Sequence, residues 1–490
     1  MTDQNVKTDE QREVRVEKLE RLAEEGFAVW PDRFDRTHST AEARELPEAT
    51  DDVAVAGRLR LIRNMGKLIF AHVQDASGTI QIMARRDEVG EETHRMLKKL
   101  VDIGDFIGVR GSMIVTKTGE ITVQASEVVF LGKALRPLPE KWHGISDQEA
   151  CYRQRYLDLV MNPETKARFD LRTKVVREMR RFLDDSTFVE VETPVIVNKP
   201  SGALAKPFAT HYNALHMDCF LRIAPETWLK RLIVGGYERV YEFARCFRNE
   251  GMDPSHLQDF TMLEYYVAYW SYEENMTFTE ELVKTMLERV YGSLEAAQEE
   301  TGIDWSGEWP RRPLAELISE ATEIDLADHP DADSLRERLR GMDLEIEDLD
   351  KLGRGALIDQ LYKKTVRPNL TSPTFLTRHP IDLSPLARRN DEDPTVADRF
   401  QLVVSGWEIV NAYSELVDPV DQRNRLEEQA SLRAGGDAEA MVMDDDYLLA
   451  MEHGMPPISG WGMGIDRFVA LLTGQANLRD VVLFPLLRQS

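Results

Sequence analysis

The chain of 490 residues is 42% apolar and 30% charged, and it carries a net charge of −25. Such a length exceeds one hydrophobic core and implies about two to four domains. The acidic excess excludes an indiscriminate nucleic-acid binder, whose affinity comes from broad neutralisation of phosphates.

No apolar run approaches the roughly 18 residues of a membrane-spanning helix. Met1-Thr2-Asp3-Gln4-Asn5 opens no apolar signal segment, so a cytoplasmic protein without membrane attachment is expected. Cys151, Cys219 and Cys246 stand far apart, which fits neither a disulfide framework nor a zinc site and leaves them as buried free thiols. Charge is uneven: residues 57–141 carry 14 Lys and Arg against 10 Asp and Glu, so a selective RNA contact belongs there. The acidity elsewhere fits a high-salt habitat and plain solubility equally well.

In chain order, residues 11–26 place Val16, Leu19 and Ala23 at helical spacing and stop at Gly26, and a polar stretch runs on to Asp52. Residues 1–52 therefore form an N-terminal helical extension. Short alternating runs follow at 53–59, 68–75, 79–84, 106–115 and 121–131, with a helical stretch at 93–100 between the third and fourth. Five strands with a helix after the third is the order of an OB-fold barrel, which binds oligonucleotides across strands 2 and 3. Phe70 and Gln81 fall on those strands. An aromatic that stacks on a base and an amide that reads a base edge are the usual means of single-strand recognition, although Phe70 fits the barrel core as well.

The barrel domain spans 53–140. Pro137, Pro139 and Gly144 mark a connection, and 141–165 is read as linker into a second domain at 166–490. An amphipathic helix at 169–183 leads to Phe188-Val189-Glu190-Val191-Glu192-Thr193-Pro194, half of a plausible two-fold interface. The segments 239–250 and 259–267 are rich in aromatic and β-branched residues and are separated by Gly251, Asp253, Pro254 and Ser255, which predicts a long antiparallel hairpin. Alternation puts Phe260, Glu264 and Tyr266 on one face and Arg248 with Glu250 on one face of the other strand. If those faces coincide, the side chains look into one floor; otherwise they are the solvent side of an ordinary sheet.

Residues 272–294 and 314–366 are mostly helical in pattern, giving a helical insertion over roughly 272–366. Asp444-Asp445-Asp446 precedes a helical run and reads as helix-start charge in preference to a metal cluster. Near the end, Gly460-Trp461-Gly462-Met463-Gly464-Ile465-Asp466-Arg467 puts three glycines on one parity of a strand and an arginine where a helix begins, a place to hold phosphate. A simple glycine-marked turn whose Arg meets a surface carboxylate explains this segment equally well. The dinucleotide pattern G-x-G-x-x-G fails, because its third glycine position is Arg467.

Taken together, 188–194, the hairpin and 460–467 resemble the three signature motifs of class II aminoacyl-tRNA synthetases, in order. Arg222-Ile223-Ala224-Pro225-Glu226, Ala412-Tyr413-Ser414-Glu415-Leu416 and Arg479-Asp480-Val481-Val482-Leu483-Phe484-Pro485 are similar to the class II lysyl-tRNA synthetases of bacterial type, over roughly residues 53–487. The resemblance implies an α+β protein, with an N-terminal OB-fold β-barrel and a class II catalytic domain built on an antiparallel sheet flanked by helices. It also implies ATP-dependent activation of L-lysine, transfer to tRNA(Lys), Mg²⁺ as cofactor, and a homodimer formed through motif 1.

By the same resemblance Arg248 would bridge the lysine carboxylate and the α-phosphate, and Phe260 would stack on adenine against Arg467, which would also meet the γ-phosphate. These two arginines are the expected catalytic residues. Glu250 would take the adenine amino group, His256 would sit near the outer phosphates, and Glu408 would hold Mg²⁺. Glu264, Tyr266 and Glu415 would surround the ε-ammonium, with Asn411 and Tyr413 lining the pocket and Gly202 and Glu226 at the α-amino group. Arg63, Phe70, Gln81 and Glu127 match anticodon-reading positions. The chain departs from the family at Gln401, where a second metal carboxylate is expected, and at Leu257-Gln258-Asp259, where Asn-Pro-Glu is commoner.

The chemistry agrees with the residue types. A carboxylate that attacks the α-phosphorus is already ionised, so the barrier is charge repulsion and alignment, which asks for Arg and Mg²⁺ and not for a general base. The alternatives are the aspartyl or asparaginyl relatives, whose pocket needs a basic residue where Glu415 stands, a non-aminoacylating RNA-binding paralogue, and an enzyme that lysylates protein, which would lack the barrel.

Overall fold

The computed structural model describes residues 3–139, 147–251, 253–342, 344–347, 349–434 and 441–488. The chain divides into two compact units, residues 1–146 and 147–490.

In the first unit β1 (Val53–Met65), β2 (Leu68–Gln74), β3 (Thr79–Arg85), β4 (Phe106–Val115) and β5 (Ile121–Gly132) close a barrel in the order β1-β2-β3-β5-β4. Period-two alternation builds it: Ile69, Ala71 and Val73 point inward with Ile80, Ile82 and Ala84, while Phe70, His72, Thr79 and Gln81 are only partly buried. A register shift at Arg110/Gly111 bends β4 against β5, a common device where a sheet curls shut.

The N-terminal helix runs Asp3–Glu24, longer at its start than 11–26, because its Glu, Gln, Lys and Arg residues are good helix formers without an apolar stripe. Leu22 joins the barrel core, and Lys18 pairs with Asp102 at 2.5 Å. The polar stretch before Asp52 contains a further helix, Thr40–Arg44, closed by a reciprocal Ser39/Glu42 capping box.

In the second unit the expected linker 141–165 needs correction. Residues 140–146 lie outside those described, but Gln148–Arg153 and Arg155–Met161 are helices and the next helix begins at Pro163, ending at Asp185. Arg155, buried and paired with Asp158, pins these short helices to the carbonyls of Leu483 and Arg479.

The remaining strands are β6 (Val189–Glu190), β7 (Ile196–Val197), β8 (Ala209–Tyr212), β9 (Met217–Leu221), β10 (Arg239–Phe247), β11 (Asp259–Ala268), β12 (Arg311–Pro313), β13 (Thr374–Pro380), β14 (Val396–Val404), β15 (Trp407–Ser414) and β16 (Ile458–Gly464). Eight of them form one sheet, β12-β13-β14-β15-β16-β11-β10-β6, antiparallel except at the β12/β13 and β10/β6 pairs. Between β10 and β13 lie the helices Tyr272–Tyr291, Leu294–Thr301, Leu314–Thr322, Ala332–Arg340 and Arg354–Thr365.

The sheet has two unlike faces. Leu263, Tyr265 and Val267 of β11, Trp461 and Met463 of β16, and Val410 and Ala412 of β15 enter the largest core, where helices Pro163–Asp185, Tyr272–Tyr291 and Ile465–Leu472 cover them. Tyr265 stacks on Trp461 at 4.6 Å. Residues of the other parity, Glu264, Tyr266, Gly460, Gly462, Asn411 and Tyr413, are left to the opposite face.

The barrel contains a buried ion pair whose loss is measurable. Lys133 has a fully buried side chain and meets Asp105 at 2.8 Å, Asp102 at 2.6 Å and the Leu100 carbonyl at 2.7 Å. Lys133→Met strands Asp105 without its cation and is expected to destabilise the barrel by about 3–5 kcal/mol. Amide hydrogen exchange of the intact chain should quicken across β4 and β5; unchanged protection there would contradict this account.

Candidate functional site

Two cavities of about 220 Å³ each open on the non-core face of the sheet, and they share Arg248, Met262, Asn411 and Gly462. The first gathers every residue expected around lysine: Gly202, Glu226, Arg248, Glu264, Tyr266, Asn411, Tyr413 and Glu415. The second gathers every residue expected around ATP: Arg248, Glu250, His256, Phe260, Glu408 and Arg467.

Local folding explains the convergence. Hairpin β10/β11 pairs Phe247 with Asp259 and Glu242 with Glu264, so the even residues Phe260, Met262, Glu264 and Tyr266 lie in a row along one face. The Arg248 N–H donates to the Gln258 carbonyl, which carries the pairing one step past the strand and aims Arg248 inward. In β15, Glu408 and Asn411 stand three apart and would face opposite ways in a regular strand. The register shift opposite Leu402/Val403 turns both to the site. Strand β16 then lies beside β11, Gly462 opposite Glu264 and Gly460 opposite Tyr266. A Cβ at Gly460 would come within 2.0 Å of Glu415 Oε1 and 2.5 Å of the Tyr266 ring, so only glycine leaves space for them. Gly202, at φ +90°, approaches the Glu226 side chain in the same way.

The lysine-side cavity is electrostatically extreme. Glu226, Glu264 and Glu415 are 6%, 4% and 2% exposed. Burial, reinforced by Glu226, pushes the Glu264 carboxyl up to about 8, against a Tyr266 hydroxyl 3.3 Å away. Burial also drives Glu415 upward, with Lys230 opposing. Tyr413 donates to Glu226 at 2.8 Å, and burial keeps its phenol protonated. Arg399 fixes Asn411 through a 2.8 Å bond and is itself held by Ser384 and the Leu383 carbonyl.

On the ATP side the Arg248 guanidinium lies 5.1 Å from the Phe260 ring centroid, and its buried Nε has no hydrogen-bond partner among the described residues. Arg467 is the third residue of helix Ile465–Leu472. The preceding Asp466 accepts the Thr261 N–H at 2.8 Å and pairs with Arg172 at 2.7 Å, which locks the helix start to β11. Arg467 reaches His256 at 3.3 Å, and His256 in turn contacts Asp253 at 2.7 Å. Against partial burial, bonds from Ser255 and His256 hold Asp253 down to about 2. A third cavity of about 410 Å³ continues outward from Ser255, His256, Glu408 and Arg467 to Lys363 and Arg367.

Some expected residues stand apart. Gln401 is buried in β14 and lines none of these cavities, although its Cα partner is Asn411. In the barrel, Arg63 pairs with Phe70 across β1/β2, and His72 with Gln81 across β2/β3, so Arg63, Phe70 and Gln81 share an outward face. Phe70 is half-buried between the core residues Ile69 and Ala71, not inside the core. Glu127 is not joined to them; its carboxylate pairs with Arg110 at 3.3 Å. Cys219 and Cys246 are buried, and burial lifts the Cys246 thiol to about 12.

Sequence reasoning missed Lys230, Arg399 and Tyr447. Lys230 is fully buried, bonds Glu226 at 2.6 Å and also pairs with Glu415. Its signal was present, since Lys230 follows Glu226 by one helical turn between the apolar pairs Trp228-Leu229 and Leu232-Ile233. Asp444 caps helix Asp445–Glu452 through the Tyr447 N–H and pairs with Arg231, in line with helix-start charge.

Comparison with known proteins agrees with this geometry. Residues 147–488 match the family of tRNA synthetases class II (D, K and N), and residues 53–131 match the OB-fold nucleic acid binding domain. A Lysine--tRNA ligase of Carboxydothermus hydrogenoformans is 47% identical, over 97% of this chain and 97% of its own length. Those of Enterococcus faecalis and Bacillus subtilis are 45% and 44% identical, each alignment covering 98% of both chains. With most of its length inside that family and such relatives along nearly all of it, the chain belongs to the class II tRNA synthetases (D, K and N).

Proposed function

We propose that this chain is a lysine--tRNA ligase: it activates L-lysine with ATP, forming lysyl-adenylate and pyrophosphate, and transfers the lysyl group to the 3′-end of tRNA(Lys). The observation that carries the reading is the joining, through Arg248, of a cavity walled by three buried glutamates to one lined by Phe260 and Arg467. A buried acidic wall is costly unless a cation completes it. An aspartyl or asparaginyl substrate would bring a carboxylate or an amide to that wall.

Lysine enters with its ε-ammonium between Glu264 and Glu415 under Tyr266, its α-amino group at Gly202 and Glu226, and its carboxylate on Arg248. ATP stacks its base on Phe260 against Arg467 and gives its amino group to Glu250. Arg248 then serves both reactants: it lowers their mutual repulsion and sets the attack line, which is where such a site gains its rate. His256 and Arg467 take the outer phosphates, and Lys363 with Arg367 line the way out for pyrophosphate.

Mg²⁺ suits the donor set. Of the carboxylates that line the ATP cavity, Glu250, Glu408 and Asp466, only Glu408 also lines the cavity continuing past His256 and Arg467, and this ion characteristically binds through one or two carboxylates and substrate phosphates. When bound, it would neutralise charge on the phosphates. The amide of Gln401 is outside the cavity, so Glu408 is the protein ligand we assign.

The barrel face of Arg63, Phe70 and Gln81 reads the anticodon by stacking and base-edge bonds, with Glu127 a lesser contributor. A homodimer through the 163–197 region is supported by the exposed Val189 and Ile196 and by a groove of about 970 Å³ with apolar Phe243 and Phe484 among Arg172, Arg177 and Arg180. No helix among the described residues is long and apolar enough to cross a membrane. The wide spacing of the three cysteines along the chain fits a reducing cytoplasm.

Amino-acid-dependent pyrophosphate exchange over all twenty substrates should respond to lysine; exchange driven by another amino acid and not by lysine would sink the proposal. Because Glu264 holds a proton below about pH 8, and an incoming ammonium needs the carboxylate, lysine binding must expel that proton. Lysine KM should therefore climb as pH falls below 8, approaching about tenfold per unit, and level off above it. Glu264→Gln should flatten the curve, and a flat profile in the unaltered chain would place the proton elsewhere. Phe70→Ala should raise the KM for tRNA about 10- to 100-fold with lysine-dependent exchange intact. Equal aminoacylation kinetics would remove Phe70 from the anticodon site.

A further inference from the structure

We infer that Lys230 is a positioning residue for substrate selection: its ammonium, sealed behind the pocket wall, holds the Glu226 and Glu415 carboxylates aimed so that the cavity accepts a molecule with two ammonium groups. The inference rests on the lysine reading above and extends it to a residue that touches no substrate.

Lys230 is absent from the cavity lining, whereas both of its carboxylate partners line it. Its Nζ has no exposure and sits 5.7–5.9 Å from the ring centroids of Tyr266, Tyr413 and Tyr447, a cage of faces that favours a cation. Burial works against the ammonium, but Glu226 and Glu415 outweigh it and keep Lys230 charged well past the ordinary lysine range. Glu226 lies one helical turn before Lys230, and Glu415 comes from the end of β15, so this single ammonium ties the helix to the sheet at the deepest point of the site.

Charge matching gives the arrangement its consequence. Lys230 meets Glu226 and Glu415 from behind, the two substrate ammonium groups meet the same wall from within, and the lining guanidiniums of Arg248 and Arg399 add two further cations. Removing Lys230 leaves Glu226 and Glu415 as like charges in one buried space, where one of them takes up a proton. The pocket then lacks a carboxylate for the α-amino or the ε-ammonium group. A monoamine of similar shape would leave one wall carboxylate without its ammonium partner, so the aim that Lys230 gives Glu226 and Glu415 turns general acidity into a preference for two ammonium groups.

The test uses the full chain in lysine- and ATP-dependent pyrophosphate exchange with Lys230→Met, Lys230→Arg, Glu415→Gln and the double variant. Lys230→Met should raise lysine KM on the order of a hundredfold, as loss of one partner of a buried pair does, with ATP KM held within about twofold. Its lysine KM should also depend on pH more steeply than that of the unaltered chain, because two protons must now leave on binding. Lys230→Arg, which keeps the charge, should recover most of the loss. In the Glu415→Gln background the same Met substitution should cost several-fold less, since the two residues act as one unit.

A lysine KM within about threefold of the unaltered chain, equal losses in both backgrounds, or parallel rises for lysine and ATP would each overturn the inference. Should Lys230→Met fail to fold, the double variant is compared with Glu415→Gln alone: similar lysine KM supports the inference and a further hundredfold loss overturns it. If the unaltered chain exchanges with a different amino acid, the substrate reading falls, and Lys230 is judged by the same comparison on that amino acid's KM.

Discussion

Burying carboxylates against one another is the constraint around which the second unit is organised. An isolated carboxylate pays heavily for leaving water, and neighbours of like charge add to the cost. Glu226, Glu264 and Glu415 nevertheless share one cavity wall, each nearly sealed from solvent. The fold answers with a buried lysine, phenols that stay protonated and donate, and carboxyls of Glu264 and Glu415 that burial drives upward. What survives of the unfavourable field is a site already shaped for a cation before any arrives, and preorganised charge of this kind is the means by which alignment lowers a barrier without a general base.

That arrangement needs a sheet with two unlike faces. Strands β11, β15 and β16 give one parity to Tyr265, Trp461 and Ala412, which vanish into the core, and the other to polar groups that meet the cavities. The stacked Tyr265 and Trp461 and the helices over them hold the sheet rigid from behind. On the front, glycines at alternate positions of β16 remove side chains where carboxylates and rings must come close. A single irregularity, the register shift in β15, brings Glu408 round to the cavity lined by Phe260 and Arg467. Without it, strand alternation would bury that carboxylate in the apolar core.

How much of this could be read in advance follows from the range of the interactions. Hairpin pairing, the glycine parity of β16 and the helix start before Arg467 are short-range patterns, and all three hold. The expected lysine and ATP residues fall into two cavities because alternation along a few strands already sorts them. Lys230 carried a local mark, a Glu one helical turn earlier among apolar pairs, but its second partner Glu415 lies far along the chain, and nothing local told the buried Arg399 from a solvated arginine. The supposed linker failed for the same reason, since Arg155 is buried by chain more than 300 residues away. Gln401 illustrates the converse: a position matched by spacing to a metal ligand is buried in β14 and lines neither cavity, although it pairs with Asn411.

The division into two units also resolves an apparent conflict between the net charge of −25 and a polyanionic partner. A chain this acidic gains little from long-range attraction to RNA, so its affinity must come from a few short-range contacts. On the proposed reading the outward face of β1, β2 and β3 would supply that type of contact: Arg63 is exposed, Phe70 is half-buried, and Gln81 is held by Thr122 at 2.8 Å with its carbonyl turned toward His72. Stacking and amide bonds need unpaired bases, which duplex and random-coil phosphate do not present in register. On the same proposed reading, the acidic surface elsewhere would work with these contacts by repelling nucleic acid that cannot make them, and selectivity for one single-stranded loop would follow from the imbalance of charge rather than in spite of it.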